Sequence, residues 1–401
     1  MSVELLAALD RKLLAELHHL RCELHAHPEL SFAERNTATR LEKFLRSHGI
    51  AILARGVAGH GLVALIKGQK DGPCVALRAD MDALPIMEEN RLAYRSRTPG
   101  VMHACGHDGH MAAVAGAGLV LARLRHLWAG KIKLIFQPAE EEGNGARLMV
   151  EAGVLESPRP RAILGLHARP ELRVGKVQVC SFPAAATGPF TLNIKGRGAH
   201  GAYPHLGSDP IVAGAQVVTA LQQIVSRRIA PFEPAVVTVG AFHAGTRGNI
   251  IPESAQLSGT LRARSDAVMK KLQHWLRTTI KGVCRGLGVQ GEIIFHEGTP
   301  ALHNHPGVAK VVKQAAREIL GLQNVIEEEA QTMGGEDFSF YLQRPRGVPG
   351  CLLWLGVENH EPLHSPRFDF GHQALRPAVL VLAQAAWKLL KENINHEGKV
   401  P

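Results

Sequence analysis

Hydrophobic residues recur along this chain in two alternating patterns. Short continuous apolar runs predict buried β-strands, and longer stretches with apolar residues three or four positions apart predict helices. Because the two kinds of segment alternate, the pattern indicates an α/β domain with a mainly parallel sheet. The predicted strands are 61–67, 74–78, 131–136, 162–166 and 351–357, and the predicted helices are 4–20, 32–48, 109–126, 144–152, 306–320 and 374–391.

The middle of the chain has a different order of elements. The pattern there is strand, helix, strand, strand, helix, strand, over 190–196, 209–227, 235–243, 255–263, 266–287 and 289–296. This βαββαβ order is that of the ferredoxin-like split motif. We therefore predict a catalytic domain formed by 1–184 and 299–401, with a smaller domain inserted at 185–298.

Composition agrees with a globular protein and excludes several classes. The chain has 401 residues, of which 45% are hydrophobic and 20% charged. Its longest purely apolar run, 111–122, falls short of the roughly 20 residues that a membrane-spanning helix needs, and its N-terminus lacks the basic region of a signal peptide. The six cysteines form no CxxC motif, which disfavours a disulfide framework and predicts a cytoplasmic protein.

The net charge is 46 − 36 = +10, and it favours anionic partners. A nucleic-acid-binding protein is one alternative that this charge raises. The basic residues are scattered, however, and aromatic residues make up only 5% of the chain, so there is little material for a face that stacks on bases. We therefore expect a small-molecule substrate, with no nucleic-acid or membrane partner.

Residues that can bind metals or move protons follow four of the predicted strands. They are Asp80 and Asp82 after 74–78, Glu140, Glu141 and Glu142 after 131–136, His167 after 162–166, and Glu358, His360 and His364 after 351–357. In open α/β sheets, ligands bind outside the carboxyl ends of the strands. If the strands are parallel neighbours, these side chains lie on one rim.

The densest cluster of such residues is 103–110, with three histidines, one cysteine and one aspartate. Imidazole and thiolate groups are good ligands for zinc and other late first-row ions. The alternatives are a polar loop that opens the helix at 109–126, or Cys105 as a nucleophile. Glu140–Glu142 could likewise be a solvated acidic loop, but a metal hydrolase needs one carboxylate on the ion and another to move a proton. The chain has no GxSxG, P-loop, HExxH or helix-opening GxGxxG motif.

At these residues the sequence resembles the M20 metallopeptidase family. The similarity is to the amidohydrolase branch, which contains hippurate hydrolases, N-acyl-L-amino acid amidohydrolases and auxin-conjugate hydrolases. The motifs that carry it run in order from end to end: RCELHAHPELSFAE (21–34), ALRADMDALP (76–85), HACGHDGHMA (103–112), FQPAEEEGNGA (136–146), LGLHARP (164–170), GRGAHGAYPHLGSDPI (196–211), GNIIPESAQLSGTLR (248–262), GGEDFSFYL (334–342) and LHSPRFDF (363–370).

The resemblance implies a fold like that of the zinc peptidases and a site with two divalent metal ions per subunit. The implied ligands are Cys105, His107, Glu141, His167 and His364, with the Cys105 thiolate bridging the ions. It implies Glu140 as the general base and Asp82 as the acid that orients a ligand. Other M20 branches have histidine where this chain has Asp80, so we do not assign Asp80 as a ligand. The metal could be Zn, Mn, Co or Ni.

The resemblance also assigns roles to the inserted domain, as a lid and dimerisation domain. It implies that His200 stabilises the oxyanion in the active site of the partner subunit, and that Asn249 and Arg262 hold the substrate carboxylate, assisted by the backbone at Gly334 and Gly335. The implied protein is a homodimer or higher homo-oligomer, with closure of the inserted domain assembling the site.

The predicted function is metal-assisted hydrolysis of the amide bond in N-acyl-L-amino acids. A carboxypeptidase or dipeptidase with the same metal chemistry is the alternative within the enzyme class. A catalytically silent binding protein on this fold is the alternative from another class, and the complete set of ligands and base disfavours it.

Overall fold

The computed structural model describes residues 2–329, 332–357 and 361–392. They divide into two compact units, a larger one of 2–183, 303–329, 337–357 and 361–392, and a smaller one of 184–302 and 332–336. The smaller unit includes Ala184 and two segments, 299–302 and 332–336, that we predicted to belong to the catalytic domain. The reason is hydrogen bonding to its first strand and the residues before it: Thr187 N donates to Thr299 O (2.9 Å), and Ala185 N donates to Gly334 O (2.8 Å).

The described residues contain helices in both units. They are α1 (Ser2–Ala8), α2 (Arg11–Ala26), α3 (Arg35–Ser47), α4 (His107–Arg123), α5 (Gly145–Glu151), α6 (Pro210–Arg228), α7 (Asp266–Gly286), α8 (Pro306–Leu320) and α9 (Leu375–Lys391). No helix in this part of the chain is long and apolar enough to span a bilayer.

The strands form one large sheet, one small sheet and one short ribbon. They are β1 (Ala51–Val57), β2 (Gly61–Lys67), β3 (Lys70–Asp80), β4 (Ala129–Gln137), β5 (Pro160–Arg169), β6 (Val177–Gln178), β7 (Ala186–Lys195), β8 (Ala199–His200), β9 (Ala235–Ala244), β10 (Ile250–Ile251), β11 (Ser254–Ala263), β12 (Gln290–Phe295), β13 (Val325–Ile326) and β14 (Gly350–Gly356).

The large sheet lies in the larger unit, with strand order β1-β2-β4-β3-β5-β14-β6-β13. Its four central strands β4, β3, β5 and β14 are parallel, which confirms the predicted α/β class with a mainly parallel sheet. Helices α4 and α9 pack on each other and on β3 and β4. Helix α4 is buried on all sides from His107 to Leu121, as expected for a helix that is apolar all round.

Register places the ends of the four central strands at one edge. Asp80, the last residue of β3, pairs with Gln137, the last of β4. On the other side of β3, Arg78 pairs with Gly165 of β5, and His167 of β5 pairs with Trp354 of β14. The carboxyl ends of these strands therefore form the rim that the sequence pattern predicts.

The smaller unit has the βαββαβ order that we predicted, in β7, α6, β9, β11, α7 and β12. Its sheet is antiparallel, with strand order β12-β7-β11-β9. Helices α6 and α7 pack on this sheet, so β7 alternates buried and half-buried residues along its length. Strands β8 and β10 pair separately as a two-stranded ribbon.

Two helix predictions were wrong in detail. The stretch 4–20 is not one helix, because the side chain of Asp10 accepts a hydrogen bond from Leu13 N (2.7 Å) and starts a second helix. The helix predicted from Phe32 begins at Arg35, because Phe32 has a left-handed φ of 63°. Strand β1 was missed; its residues are exposed or half-buried and none is fully buried.

Candidate active site

The N-terminus of α4 carries the centre of the site. Gly106, with φ 85°, lets the chain turn between Cys105 and His107, and a Cβ there would lie 3.2 Å from both Ala168 and Phe370. The Nδ1 of His107 is 2.8 Å from the carbonyl oxygen of Asp82. Because a carbonyl only accepts, Nδ1 carries the proton and the lone pair of Nε2 is available to bind an ion.

The donor atoms around this histidine fit a metal ion. The Nε2 of His107 and Oε1 of Glu141 are both buried, and neither has a hydrogen-bond partner in the described chain. They lie 3.8 Å apart, which is too long for a hydrogen bond but short of twice a typical metal–ligand bond of about 2.0–2.3 Å. An ion between them would satisfy both atoms.

The other three predicted ligands lie in the same place. Cys105 Sγ is 3.4 Å from His167 Nε2, and His364 Nε2 is 3.7 Å from Glu141 Oε1. The backbone N–H of His364 donates to Ala104 O (2.9 Å), which holds this distant segment beside Cys105. Two groups of mutually close donor atoms share the cysteine: Cys105, His107 and His167, and Cys105, Glu141 and His364. Such a set of donor groups fits a pair of divalent ions.

Electrostatics favours a cation here. Burial raises the pKa of the Cys105 thiol well above its usual value, and the carboxylates of Glu141 and Glu140 add to this effect. Burial also raises the pKa of Glu141 to about 7. For His107, burial acts to lower the pKa, but the carboxylates of Asp80 and Asp82 outweigh it and raise the pKa to about 10. A divalent cation stabilises the deprotonated form of each of these groups.

Asp82 connects three parts of the site. Its Oδ1 accepts from the backbone N–H of Glu140 (3.0 Å), and its Oδ2 accepts from the N–H of Glu141 (2.9 Å) and from the hydroxyl of Ser31 (2.7 Å). Burial acts to raise the pKa of Asp82, but these bonds and the adjacent His107 lower it below its usual value. Asp82 therefore remains a carboxylate that fixes both glutamates.

Sequence reasoning missed a buried network behind the ligands. Asp80 accepts from Arg78 (2.7 Å) and binds His110 Nδ1 (2.7 Å), and the Nε2 of His110 accepts from Ala168 N (2.9 Å). Since both ring nitrogens of His110 are already hydrogen-bonded, this histidine does not bind metal and instead holds β5 in place beside His167. The available signal was Arg78, a charged residue within an apolar strand.

The smaller unit brings some of its predicted residues together. His200 in β8 is exposed and pairs with Ile250 of β10, and Gly201 N donates to Asn249 O (2.8 Å). Arg262 lies on β11, where its guanidinium donates to Leu261 O (3.0 Å) and to the hydroxyl of Thr260.

The two predicted glycines lie beside the first strand of this unit. Gly334 O accepts from Ala185 N, and a Cβ on Gly335 would lie 2.4 Å from Thr187 Cγ2. Two residues of the sequence prediction, Glu358 and His360, lie outside the described residues.

Comparison with known proteins identifies the family. Residues 76–388 match the model of peptidase family M20/M25/M40. The chain belongs to this family. This finding confirms the resemblance carried by the motifs, and it makes the chain a hydrolase of amide bonds.

Similar proteins agree with this assignment. The chain is 38% identical to N-acetylcysteine deacetylase of Bacillus subtilis, over 94% of this chain and 97% of that protein. It is 42% identical to an N-acyl-L-amino acid amidohydrolase of Geobacillus stearothermophilus, over 71% of this chain and 77% of the relative. A solved structure of a dinuclear metal-binding M20 peptidase from Bacillus subtilis superposes with a TM-score of 0.83 at 35% identity, covering 95% and 99% of the two chains.

Metal binding should stabilise the protein through His107. Adding Mn²⁺ to chelator-treated protein should raise Tm by several degrees, since a ligand at 1,000 times its Kd contributes about 4 kcal/mol. We expect this increase to be largely lost in His107→Ala and retained in His126→Ala, which alters an exposed histidine outside the site. Differential scanning calorimetry measures both. A full Tm increase in His107→Ala would contradict the assignment.

Proposed function

We propose that this chain is a metal-dependent amidohydrolase that cleaves N-acyl-L-amino acids to a carboxylic acid and a free amino acid. The observation that carries the proposal is a pair of buried metal-ligand atoms without hydrogen-bond partners in the described chain, His107 Nε2 and Glu141 Oε1. They lie on the strand rim beside Cys105, His167 and His364. The names of two relatives, a deacetylase and an amidohydrolase of N-acyl amino acids, support the substrate class.

In this proposal Cys105, His107, Glu141, His167 and His364 hold two divalent ions, of Zn, Mn, Co or Ni. The chemistry that such ions supply when bound is polarisation of a carbonyl group and acidification of water. The protein supplies the ligand geometry, in which Asp82 fixes the loop of Glu141 and orients His107.

Glu140 is the proposed general base. The residue is 9% exposed, and its Oε2 lies 4.0 Å from His107 Nε2, beside the proposed ions. Glu141 instead directs its Oε1 toward His107 and His364. The adjacent carboxylates can therefore divide the work: Glu141 binds metal, and Glu140 takes a proton from the attacking water and passes it to the leaving amine.

His200, Asn249 and Arg262 are proposed to bind the substrate. The Nδ1 of His200 accepts from Ala202 N (3.1 Å), so in the neutral ring Nε2 carries the proton and can donate to a developing oxyanion. Arg262 makes both of its internal bonds through Nη1. Its Nε and Nη2 form the edge that binds a carboxylate at two points. Asn249, with the backbone at Gly334 and Gly335, completes this proposed carboxylate site.

A carboxypeptidase or dipeptidase is the second candidate. It is favoured by the similarity to the dinuclear metal-binding protein of Bacillus subtilis, which is described as a peptidase. The ions, the base and the carboxylate anchor would be the same. The two functions differ in the acyl half of the substrate, which carries a free amino group in a dipeptide and none in an N-acyl amino acid.

We also propose that the protein is a cytoplasmic homodimer formed through the smaller unit. Strand β9 is an edge strand of its sheet, and an open edge can pair with another chain. Phe242 on β9 and Ile211 and Val212 at the start of α6 are exposed apolar side chains that such an interface would bury.

Replacing the base should abolish turnover without removing metal. For Glu140→Gln we expect kcat on N-acetyl and N-benzoyl amino acids to fall by about 10²–10⁴-fold, because an amide cannot accept the proton. Metal content, measured by elemental analysis, should stay at the wild-type value. The matched control is Glu142→Gln, an exposed neighbour that should keep kcat within about twofold. Turnover close to wild type in Glu140→Gln would refute the base assignment.

Removing the proposed anchor should weaken binding of the carboxylate. For Arg262→Ala we expect kcat/KM on an N-acetyl amino acid to fall by about 10- to 100-fold, mainly through KM, since a charge-assisted hydrogen bond contributes about 1.5–3 kcal/mol. On the matching carboxamide, which lacks the charge, wild type and variant should be alike. An equal loss on both substrates would argue against the anchor role.

A further inference from the structure

The residue before the proposed base has an unusual backbone conformation. Ala139 is fully buried and has φ 53°, in the left-handed region that residues other than glycine rarely adopt. Strain of this kind persists where surrounding contacts enforce it, and it concentrates at functional sites. The turn at Ala139 determines where the chain directs Glu140, so the contacts that hold it matter for catalysis.

Two carboxylates hold this turn through three successive backbone N–H groups. Asp82 binds the N–H groups of Glu140 and Glu141. The N–H of Ala139 donates to Oε1 of Glu34 (2.8 Å). Glu34 is fully buried and 105 residues distant in sequence, and neither the motifs nor the proposed mechanism assigns it a role.

The backbone on both sides of Glu34 is fixed by its surroundings. Three residues earlier, Ser31 donates its hydroxyl to Asp82, and Glu34 directly precedes α3. Its Oε2 has no hydrogen-bond partner in the part of the chain that is described, and burial raises the pKa of its carboxyl to about 7. Burying a carboxyl group is costly, which is unfavourable for a group that only stabilises the fold.

We propose that Glu34 is a positioning residue for Glu140. The carboxyl group of Glu34 accepts a hydrogen bond from the Ala139 N–H and so holds the left-handed turn that orients the base. This inference rests on the proposed function, in which Glu140 moves the proton. The hydrogen bond needs only an acceptor oxygen, because Ala139 N–H is a neutral donor. Two substitutions of similar size, one that keeps an acceptor oxygen and one that removes it, should therefore differ in their effect on catalysis.

The test compares Glu34→Met, which removes the acceptor at similar length, with Glu34→Gln, which keeps a carbonyl oxygen. We expect kcat of Glu34→Met on an N-acetyl amino acid to fall by about tenfold or more, with KM and metal content unchanged. The reason is that a wrongly oriented base reduces only the rate of the chemical step. Glu34→Gln should keep at least about half of the wild-type kcat. If Glu34→Met does not fold, Glu34→Asp, one methylene shorter, replaces it with the same expectation.

Glu29→Met is the control for a general weakening of this segment. The carboxylate of Glu29 binds Asn36 and Thr37 in the first turn of α3 and accepts no hydrogen bond from the Glu140 loop in the described structure. Its removal should lower Tm and leave kcat within about twofold. Hydrogen–deuterium exchange supplies a readout that does not depend on activity: the Ala139 amide should exchange faster in Glu34→Met only.

Three results would overturn the inference: wild-type kcat in Glu34→Met, equal loss in Glu34→Gln and Glu34→Met, or an equal loss in Glu29→Met. Each presupposes an active wild type. Failure of the wild type to cleave any N-acyl amino acid would instead refute the proposed function, and the exchange of the Ala139 amide would still report on the hydrogen bond.

Discussion

The site depends on the hydrogen bonds of Asp82, which lies two residues after the end of β3. The carboxylate of Asp82 binds the backbone of Glu140 and Glu141, and its carbonyl oxygen binds the ring of His107. One residue thus joins β3, the loop after β4 and the start of α4. Because each bond fixes backbone or ring orientation, His107 Nε2 and Glu141 Oε1 converge without a hydrogen bond to each other. A site for metal requires this arrangement, since ligands that bind each other would leave no lone pairs for an ion.

Buried ion pairs secure the same region from behind. Arg21 in α2 binds two aspartates. Asp108 is the residue directly after His107, and Asp369 lies five residues after His364. His25 also binds Asp108 (3.0 Å), and burial acts to lower the pKa of His25, but Asp108 and Glu88 raise it to about 9. Removing one partner of such a buried group leaves an uncompensated charge, at a cost of about 3–5 kcal/mol. The two segments that carry His107 and His364 are therefore tied to α2.

Much of this architecture could be predicted from the sequence. The apolar runs predicted four central strands, and the strand-end rule then placed Asp82, Glu140, Glu141 and His167 on one rim. Assigning individual roles needed the family resemblance, because periodicity does not distinguish Glu140 from Glu141. The contacts of Glu34 and His110 escaped prediction, since their partners Ala139 and Asp80 are distant from them in sequence. The one local sign of the buried network was Arg78, a charged residue within an apolar strand. The left-handed Ala139 escaped for a different reason: alanine is not a residue that signals such a turn.

The central claim is that the donor atoms on the strand rim hold metal for the hydrolysis of N-acyl amino acids. The most direct measurement is an assay of the purified protein on N-acetyl and N-benzoyl amino acids and on dipeptides, as isolated, after chelation, and after Mn or Zn is restored. We predict release of free amino acid from the N-acyl substrates, its loss on chelation, and its recovery with metal. Hydrolysis that persists after the metal is removed, or cleavage of dipeptides alone, would contradict this claim.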